Sequence, residues 1–154
     1  MILSKHVTIE EFERSETAIK YGISNKMGFT EKDAAILLCE KVFEPIREHL
    51  GRPIKINSGF RSLRVNSRVG GSVSSQHVKG EAFDLDLHDK ELFDWIIENV
   101  VFDQMIAEFP VNGKASWFHI SYRKGRNRKQ ALIAIKKNGK TSYLPYEEYE
   151  NLLY

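Results

Sequence analysis

The stretch SSQHVKGEAFDLD, residues 74–86, joins a polar loop to an alternating strand and decides how the rest of the chain is arranged. Gly80 supplies the turn, because glycine adopts backbone conformations that other residues avoid. Successive side chains of a strand point to opposite faces, so Asp84 and Asp86 share one face and Phe83 lies on the other. The pattern predicts a strand whose apolar face is anchored in a core and whose carboxylates lie outside it.

Two later segments alternate in the same way and are predicted to be neighbouring strands. They are FDQMIAEF at 102–109 and SWFHISY at 116–122, joined by PVNGKA as a hairpin. The alternation places Glu108 on one face of the first strand and His119 on one face of the second. We expect the three strands to present Asp84, Glu108 and His119 on a common floor. His77 reaches that floor from the loop.

Such a cluster has the composition of a catalytic zinc site. Two imidazoles and one carboxylate, from His77, His119 and Asp84, supply three ligands and leave the fourth position for water. Zinc lowers the pKa of that water from 15.7 to about 7, and a carboxylate that is not a ligand, here Glu108, can move the proton. Spacing alone also allows the ordinary alternatives, a solvated loop histidine and the solvated face of a half-buried strand.

The rest of the chain is read as helices first and strands later, which is an α+β arrangement. Thr8 and Glu11 have the spacing of a capping box, which predicts a helix over 7–18. Thr30 is expected to cap a second helix, in which Pro45 produces a kink or a boundary. The remaining predicted elements are a strand at 54–60, a long polar loop at 61–77, a helix at 88–100 and a hairpin at 131–144 around Asn138-Gly139.

Length and composition predict one globular domain spanning 1–154. Of the 154 residues, 42% are hydrophobic and 29% are charged, and a net charge of +2 implies no general attraction to nucleic acid or membranes. The single cysteine, Cys39, excludes an intramolecular disulfide and is expected to be a buried thiol. The first apolar run is too short for a signal peptide, so we expect a cytoplasmic protein unless another route exports it.

The motifs resemble those of the zinc D-Ala-D-Ala carboxypeptidase and peptidoglycan endopeptidase family. That family's pattern is S-x-H-x-x-G-x-A-x-D followed by W-x-H, and both parts occur here after an SGFRS segment at 58–62. The similarity extends over 7–122, has its core at 51–122, and leaves 123–154 as a basic C-terminal extension. It implies a hedgehog/DD-peptidase-like fold, in which N-terminal helices pack on a small antiparallel sheet.

The resemblance implies roles for particular residues. Carried over position by position, the ligands of one Zn²⁺ ion fall on His77, Asp84 and His119. Arg61, in SGFRS, corresponds to the arginine that engages the substrate beside the scissile bond. A planar guanidinium suits a carboxylate or a polarised carbonyl better than an ammonium group does.

The general base is where this chain departs from the best-known members. They carry an acidic residue three positions before the second histidine, a position held here by Ser116. Glu108 is the best substitute, since a Q-x-I-x-E segment ahead of W-x-H resembles one branch of the family, and Asp86 is the reserve candidate. Ordinary loop or core packing is the alternative for the other candidate substrate contacts, which are Ser75, Gln76 and Trp117.

The implied activity is hydrolysis of an amide bond in peptidoglycan stem peptides, by a carboxypeptidase or by an endolysin-like endopeptidase released through a holin. We expect a monomer whose partner is that peptide. The alternative is a non-catalytic, zinc-stabilised module that binds cell-wall polymer. Residues 123–140 contain basic but no acidic side chains and could contribute charge to such binding, or form a solvated hairpin.

Overall fold

The computed structural model describes residues 1–152, in which helices precede most of the strands. The helices are α1 (Ile9–Glu13), α2 (Glu16–Tyr21), α3 (Phe29–Leu38), α4 (Glu44–Leu50), α5 (Leu63–Arg68) and α6 (Lys90–Asn99), with a π-helical turn at Cys39–Phe43 and a 3-10 helix at Tyr146–Leu152. The strands are β1 (Ile2–Ser4), β2 (Val7–Thr8), β3 (Ile56–Ser58), β4 (Ala82–Leu85), β5 (Gln104–Glu108), β6 (Trp117–Ser121), β7 (Gln130–Lys137) and β8 (Lys140–Pro145). This arrangement confirms the α+β class. No helix in the described residues is long and apolar enough to cross a bilayer.

The N-terminal helix is shorter than the sequence predicts. Thr8 caps α1 in a capping box, because its hydroxyl accepts the N–H of Glu11 and the carboxylate of Glu11 accepts the N–H of Thr8. Arg14 then adopts extended backbone, and the hydroxyl of Ser15 accepts a backbone N–H at the start of α2. The prediction of one helix over 7–18 is therefore wrong, since a second cap begins a new helix.

The boundary expected at Pro45 is present. Proline has no backbone N–H, and the residue before it, Glu44, donates to the carbonyl of Cys39 five positions back, which makes the π-helical turn. Cys39 is a buried free thiol as expected, and burial raises its pKa far above the ordinary value. Thr30 is not the N-cap of this helical region, because α3 begins at Phe29 and the N-cap position is held by Gly28, which has extended backbone.

Six strands form the sheet that carries the site, in the order β3-β4-β6-β5-β7-β8. Neighbours are antiparallel except for β5 and β7, which are parallel. Both predicted hairpins are confirmed, and the turn residues of the second, Asn138 and Gly139, have φ of 51° and 74°. The parallel pair, which the sequence pattern does not predict, places the C-terminal hairpin next to β5.

Strand register brings the chemically important side chains onto one face. Asp84 on β4 lies opposite His119 on β6, and His119 lies opposite Ile106 on β5. Glu108 lies opposite Trp117, two residues along from that row and therefore on the same face. The common floor expected from the alternation is thus built by β4, β6 and β5.

The opposite face of these strands is packed against helices. The ring of Phe83 on β4 contacts the rings of Phe12 and Phe43 edge-on, with centroids 6.5 and 6.1 Å apart. Phe118 on β6 meets Phe93 of α6 at 5.2 Å. Fully burying a phenylalanine side chain stabilises a fold by roughly 1.5–3 kcal/mol. The core therefore fixes the strands from behind and leaves the polar face open.

The segment predicted as a loop at 61–77 contains a helix, so that prediction is wrong in its first half. Ser62 caps α5 through a hydroxyl that accepts the N–H of Val65. Val65 is buried with Ala18 and Ile23 in a small cluster of its own. The rest of the segment runs through turns to His77.

Candidate metal centre and catalytic cleft

Three side chains from the loop and two strands meet at one point. His77 Nε2 lies 3.2 Å from His119 Nδ1 and 3.4 Å from the nearer carboxylate oxygen of Asp84, and that oxygen lies 3.0 Å from His119 Nδ1. A tetrahedral zinc ion with bonds of 2.0–2.1 Å holds its ligand atoms about 3.3 Å apart. The donors therefore fit zinc in both chemistry and spacing. Among the described residues, this is the group of His, Cys, Asp and Glu side chains arranged to hold a metal ion.

The loop holds His77 in a fixed orientation. Its Nδ1 lies 2.7 Å from the carbonyl oxygen of Gly59. A carbonyl can only accept, so Nδ1 carries the proton and Nε2 presents its lone pair to the cluster. The side chain is 2% exposed, and the turn behind it is closed by the N–H of Gly80, which donates to the His77 carbonyl.

The charges of the cluster favour metal binding. Burial lowers the pKa of His77, although Asp84 partly opposes the effect, so the imidazole is neutral near pH 7. Burial raises the pKa of Asp84, but the neighbouring His77 and His119 outweigh it and hold that pKa well below its usual range. Neutral imidazole and ionised carboxylate are the protonation states that bind a metal ion.

Glu108 lies on the same face as the three donors but is not one of them. It is 9% exposed, and its backbone carbonyl accepts the N–H of Ser116 at the end of the hairpin. Burial raises its pKa to about 7, His119 acts against that rise and Asp84 adds to it. A carboxyl with a pKa near 7 can both take up and release a proton at neutral pH.

Arg61 lines the same cleft from the start of the loop. Burial lowers the pKa of its guanidinium, and Asp84 acts in the opposite direction. Its Nε is buried and has no hydrogen-bond partner among the described residues, whereas its backbone N–H donates to the His77 carbonyl. The side chain is thus placed beside the donors with hydrogen-bonding capacity left for a ligand.

The other candidate contacts also border the cleft, but two are engaged within the protein. The hydroxyl of Ser75 accepts the N–H of His77, and the amide of Gln76 donates to the carboxylate of Asp103 at 3.2 Å. Trp117 packs edge-on against Phe109, and its indole N–H is buried without a partner among the described residues. Ser75 and Gln76 therefore support the loop that carries His77.

Asp86 lies outside the cleft. It follows the end of β4, is half exposed, and forms an ion pair with His88 Nε2 at 3.0 Å. His88 in turn contacts the carbonyl of Ala115 through Nδ1. The two acids that the sequence left open as general base are thus separated by the structure, since Glu108 lines the cleft and Asp86 does not.

The cleft has a volume of about 630 Å³ and includes residues that the sequence did not single out. Those with charged or phenolic side chains are Lys79, Glu81, Asp103, Arg123, Arg128 and Tyr143. Tyr143 comes from β8, where it pairs with Ala134, the neighbour of Glu108 across β5 and β7. The basic composition of 123–140 was the available signal for the arginines. Their position depends on the parallel pairing of β7, which is not visible in the pattern.

Comparison with known proteins identifies the family. A sequence model of the family described as Peptidase M15 matches residues 5–121. The chain belongs to the peptidase M15 family. The matched range of this M15 chain includes the three donors, Arg61 and Glu108, and ends before β7. The family resemblance read from the motifs is thereby confirmed.

A curated relative is similar to this chain over a shorter stretch. The M15 chain is 46% identical over 43 residues to the zinc D-Ala-D-Ala carboxypeptidase of Streptomyces albus G. That match covers 27% of this chain and 17% of the length of the relative. Together with the family match, it supports a zinc peptidase function at the level of the family.

Proposed function

We propose that this protein is a zinc-dependent hydrolase that cleaves an amide bond in the peptide stems of peptidoglycan. The observation that carries the proposal is the convergence of His77, Asp84 and His119 at tetrahedral spacing, with Glu108 on the same face of the sheet. Family membership and the similarity to a zinc D-Ala-D-Ala carboxypeptidase support the substrate class. A substrate outside the membrane requires export of the enzyme, as through a holin.

Different residues of the chain bind the metal, transfer the proton and hold the substrate during amide hydrolysis. When bound by the three donors, one zinc ion supplies a Lewis acid and lowers the pKa of water to about 7. Glu108 takes the proton of the attacking water and passes it to the leaving amine, which its pKa of about 7 allows in both directions. Arg61 holds the substrate and donates to the oxygen on which negative charge develops.

The surroundings keep these groups in place before the substrate arrives. Gly59 orients the imidazole of His77, and the antiparallel pairing of β4 with β6 sets Asp84 opposite His119. Ile106 forms an apolar floor in the same row. Such preorganisation reduces the reorganisation that the reaction would otherwise require.

The test uses purified peptidoglycan fragments analysed by mass spectrometry after incubation with the protein, which reports activity and the bond cleaved together. Glu108→Gln should abolish turnover and leave the zinc content unchanged. Asp86→Asn is the matched control, because it removes a carboxylate outside the cleft and should retain activity. A zinc-loaded wild-type protein that binds the fragments without cleaving them would instead support the alternative, a zinc-stabilised binding module.

A further inference from the structure

The segment that follows the family match supplies one end of the cleft. Arg123 follows β6 and Arg128 precedes β7, and both line the cavity that contains the metal donors. The family match ends at residue 121, so these arginines belong to the extension. Lys79, Glu81 and Asp103 line the same cavity.

Arg128 is held in place by a buried carboxylate. Asp103, which is fully buried, accepts hydrogen bonds from Nε and Nη2 of Arg128 at 3.0 and 2.8 Å. The same carboxylate accepts the backbone N–H of Arg128 and the amide of Gln76. Arginine has five N–H donors, so three remain after the two bonds to Asp103. The side chain is 46% exposed and can use them for a ligand.

The loop that carries Arg123 is also fixed. Asn127 accepts the N–H of Arg123 through its side-chain oxygen and donates its amide to the Arg123 carbonyl, at 2.8 and 2.9 Å. The backbone N–H of Lys129 donates to the backbone carbonyl of Phe102, and that of Gln130 donates to the backbone carbonyl of Asp103. Asp103 is paired with Arg128, whereas Arg123 has no ion pair among the described residues.

Strand geometry gives the backbone separation between this end of the cleft and His119. The N–H of Asp103 donates to the carbonyl of Ser121, which is two residues beyond His119 on β6. Two residues of a strand span about 7 Å. Glu108 lies at the other end of β5, on the opposite side of the His119 row.

We propose that Arg123 and Arg128 form a carboxylate-binding subsite for the peptide substrate, at the end of the cleft that lies two strand residues beyond His119. This proposal rests on the proposed function and narrows its substrate. Arginine binds a carboxylate through two parallel N–H···O hydrogen bonds, so the group that these side chains suit is a carboxylate of the substrate peptide.

The test compares two synthetic stem peptides that differ only in whether their acidic residue carries a free carboxylate or a carboxamide. Wild-type protein should cleave the carboxylate form at least about 10-fold more efficiently, mainly through KM, because a hydrogen bond to a charged group is worth about that factor or more. Arg123→Gln should reduce the preference towards one. Arg126→Gln is the matched control, since it removes an exposed charge from the same loop but does not line the cleft.

Arg128 requires a different variant. Arg128→Gln alone leaves the buried carboxylate of Asp103 unpaired and can unfold the protein. The double variant Asp103→Asn with Arg128→Gln removes the pair together and should also lose the preference. Equal cleavage of the two peptides by wild-type protein, or an equal loss in the Arg126 variant, overturns the subsite.

Binding separates failure of the subsite from failure of the proposed function. Dissociation constants of both peptides are measured with zinc-loaded Glu108→Gln protein, which should bind the carboxylate form more tightly. Binding with this preference but no cleavage by wild-type protein supports the subsite and refutes the hydrolase. Cleavage without preference refutes the subsite alone, and neither binding nor cleavage refutes both.

Discussion

Replacing Gly80 by alanine tests how the turn positions His77. Gly80 has φ of 73°, and a Cβ there would lie 2.4 Å from the backbone oxygen of Glu31 in α3. Left-handed backbone costs a non-glycine residue about 1–2 kcal/mol, and overpacking costs typically 1–3 kcal/mol more. Since the obstructing atom belongs to the backbone, it cannot rotate away. We expect a total loss of about 2–5 kcal/mol in the free energy of unfolding.

Gly139 provides a control for the backbone contribution. Its φ is 74°, almost identical to that of Gly80, but nothing lies within 4 Å of the Cβ position. Gly139→Ala should therefore lose only the 1–2 kcal/mol of the left-handed conformation. The difference between the two variants measures the collision with α3.

The assay is urea unfolding of the zinc-free proteins, in which a shift of midpoint at constant slope reports stability. Zinc affinity is then measured for both variants. Gly80→Ala should weaken zinc binding, because the turn closed on the His77 carbonyl is displaced, whereas Gly139→Ala should not. If the two variants lose the same stability and bind zinc equally well, the packing of this turn does not position the ligand.

Two further predictions concern the metal and the pH. Zinc at 100 times its dissociation constant stabilises a folded protein by about 2.7 kcal/mol, so chelation should lower Tm by roughly 5–11 °C. In a thermal melt, His77→Ala should abolish this zinc-dependent shift, whereas Glu108→Gln should keep it. The raised pKa of Glu108 means that its carboxylate is lost as the pH falls, and a bound cation lowers that pKa from about 7 towards the ordinary 4.5. The acid limb of kcat/KM should therefore lie between these values at constant zinc content, and a flat profile over that range would contradict Glu108 as the base.

The parts of the fold that follow from local chemistry could be read from the sequence. Strand alternation placed Asp84, His119 and Glu108 on one face, and the capping box at Thr8 began a helix. The motif resemblance then selected Asp84 rather than Asp86 as the predicted ligand, which alternation alone could not do. The cap depends on neighbouring residues and the face of each side chain on its own strand, whereas the pairing of β4 with β6 that joins Asp84 to His119 is not a hairpin.

The missed elements are those whose signal is short or depends on distant pairing. Helix α5 has six residues and buries one apolar side chain, Val65, so it shows little periodicity. The break at Ser15 depends on a cap that competes with continued helix. The contact between Asp103 and Arg128 joins residues 25 positions apart, on either side of the β5–β6 hairpin, and Arg128 lies in a connection without helix or strand.

The parallel pairing of β5 with β7 connects the missed fold element to the site. The chain after β6 cannot form a hairpin with β6 itself, because β4 and β5 already occupy both edges of that strand. Crossing instead to the free edge of β5 carries the loop past Asp103 and leaves Arg128 at one end of the cleft. The following strand returns Tyr143 to the other end, in the row of Glu108. Ile133 and Ala134 on β7 are fully buried, so this placement is part of the core and not a loose attachment. Part of the cleft wall is therefore supplied by the loop and the β7–β8 hairpin that follow the family match, whereas the three candidate metal donors lie within the matched range.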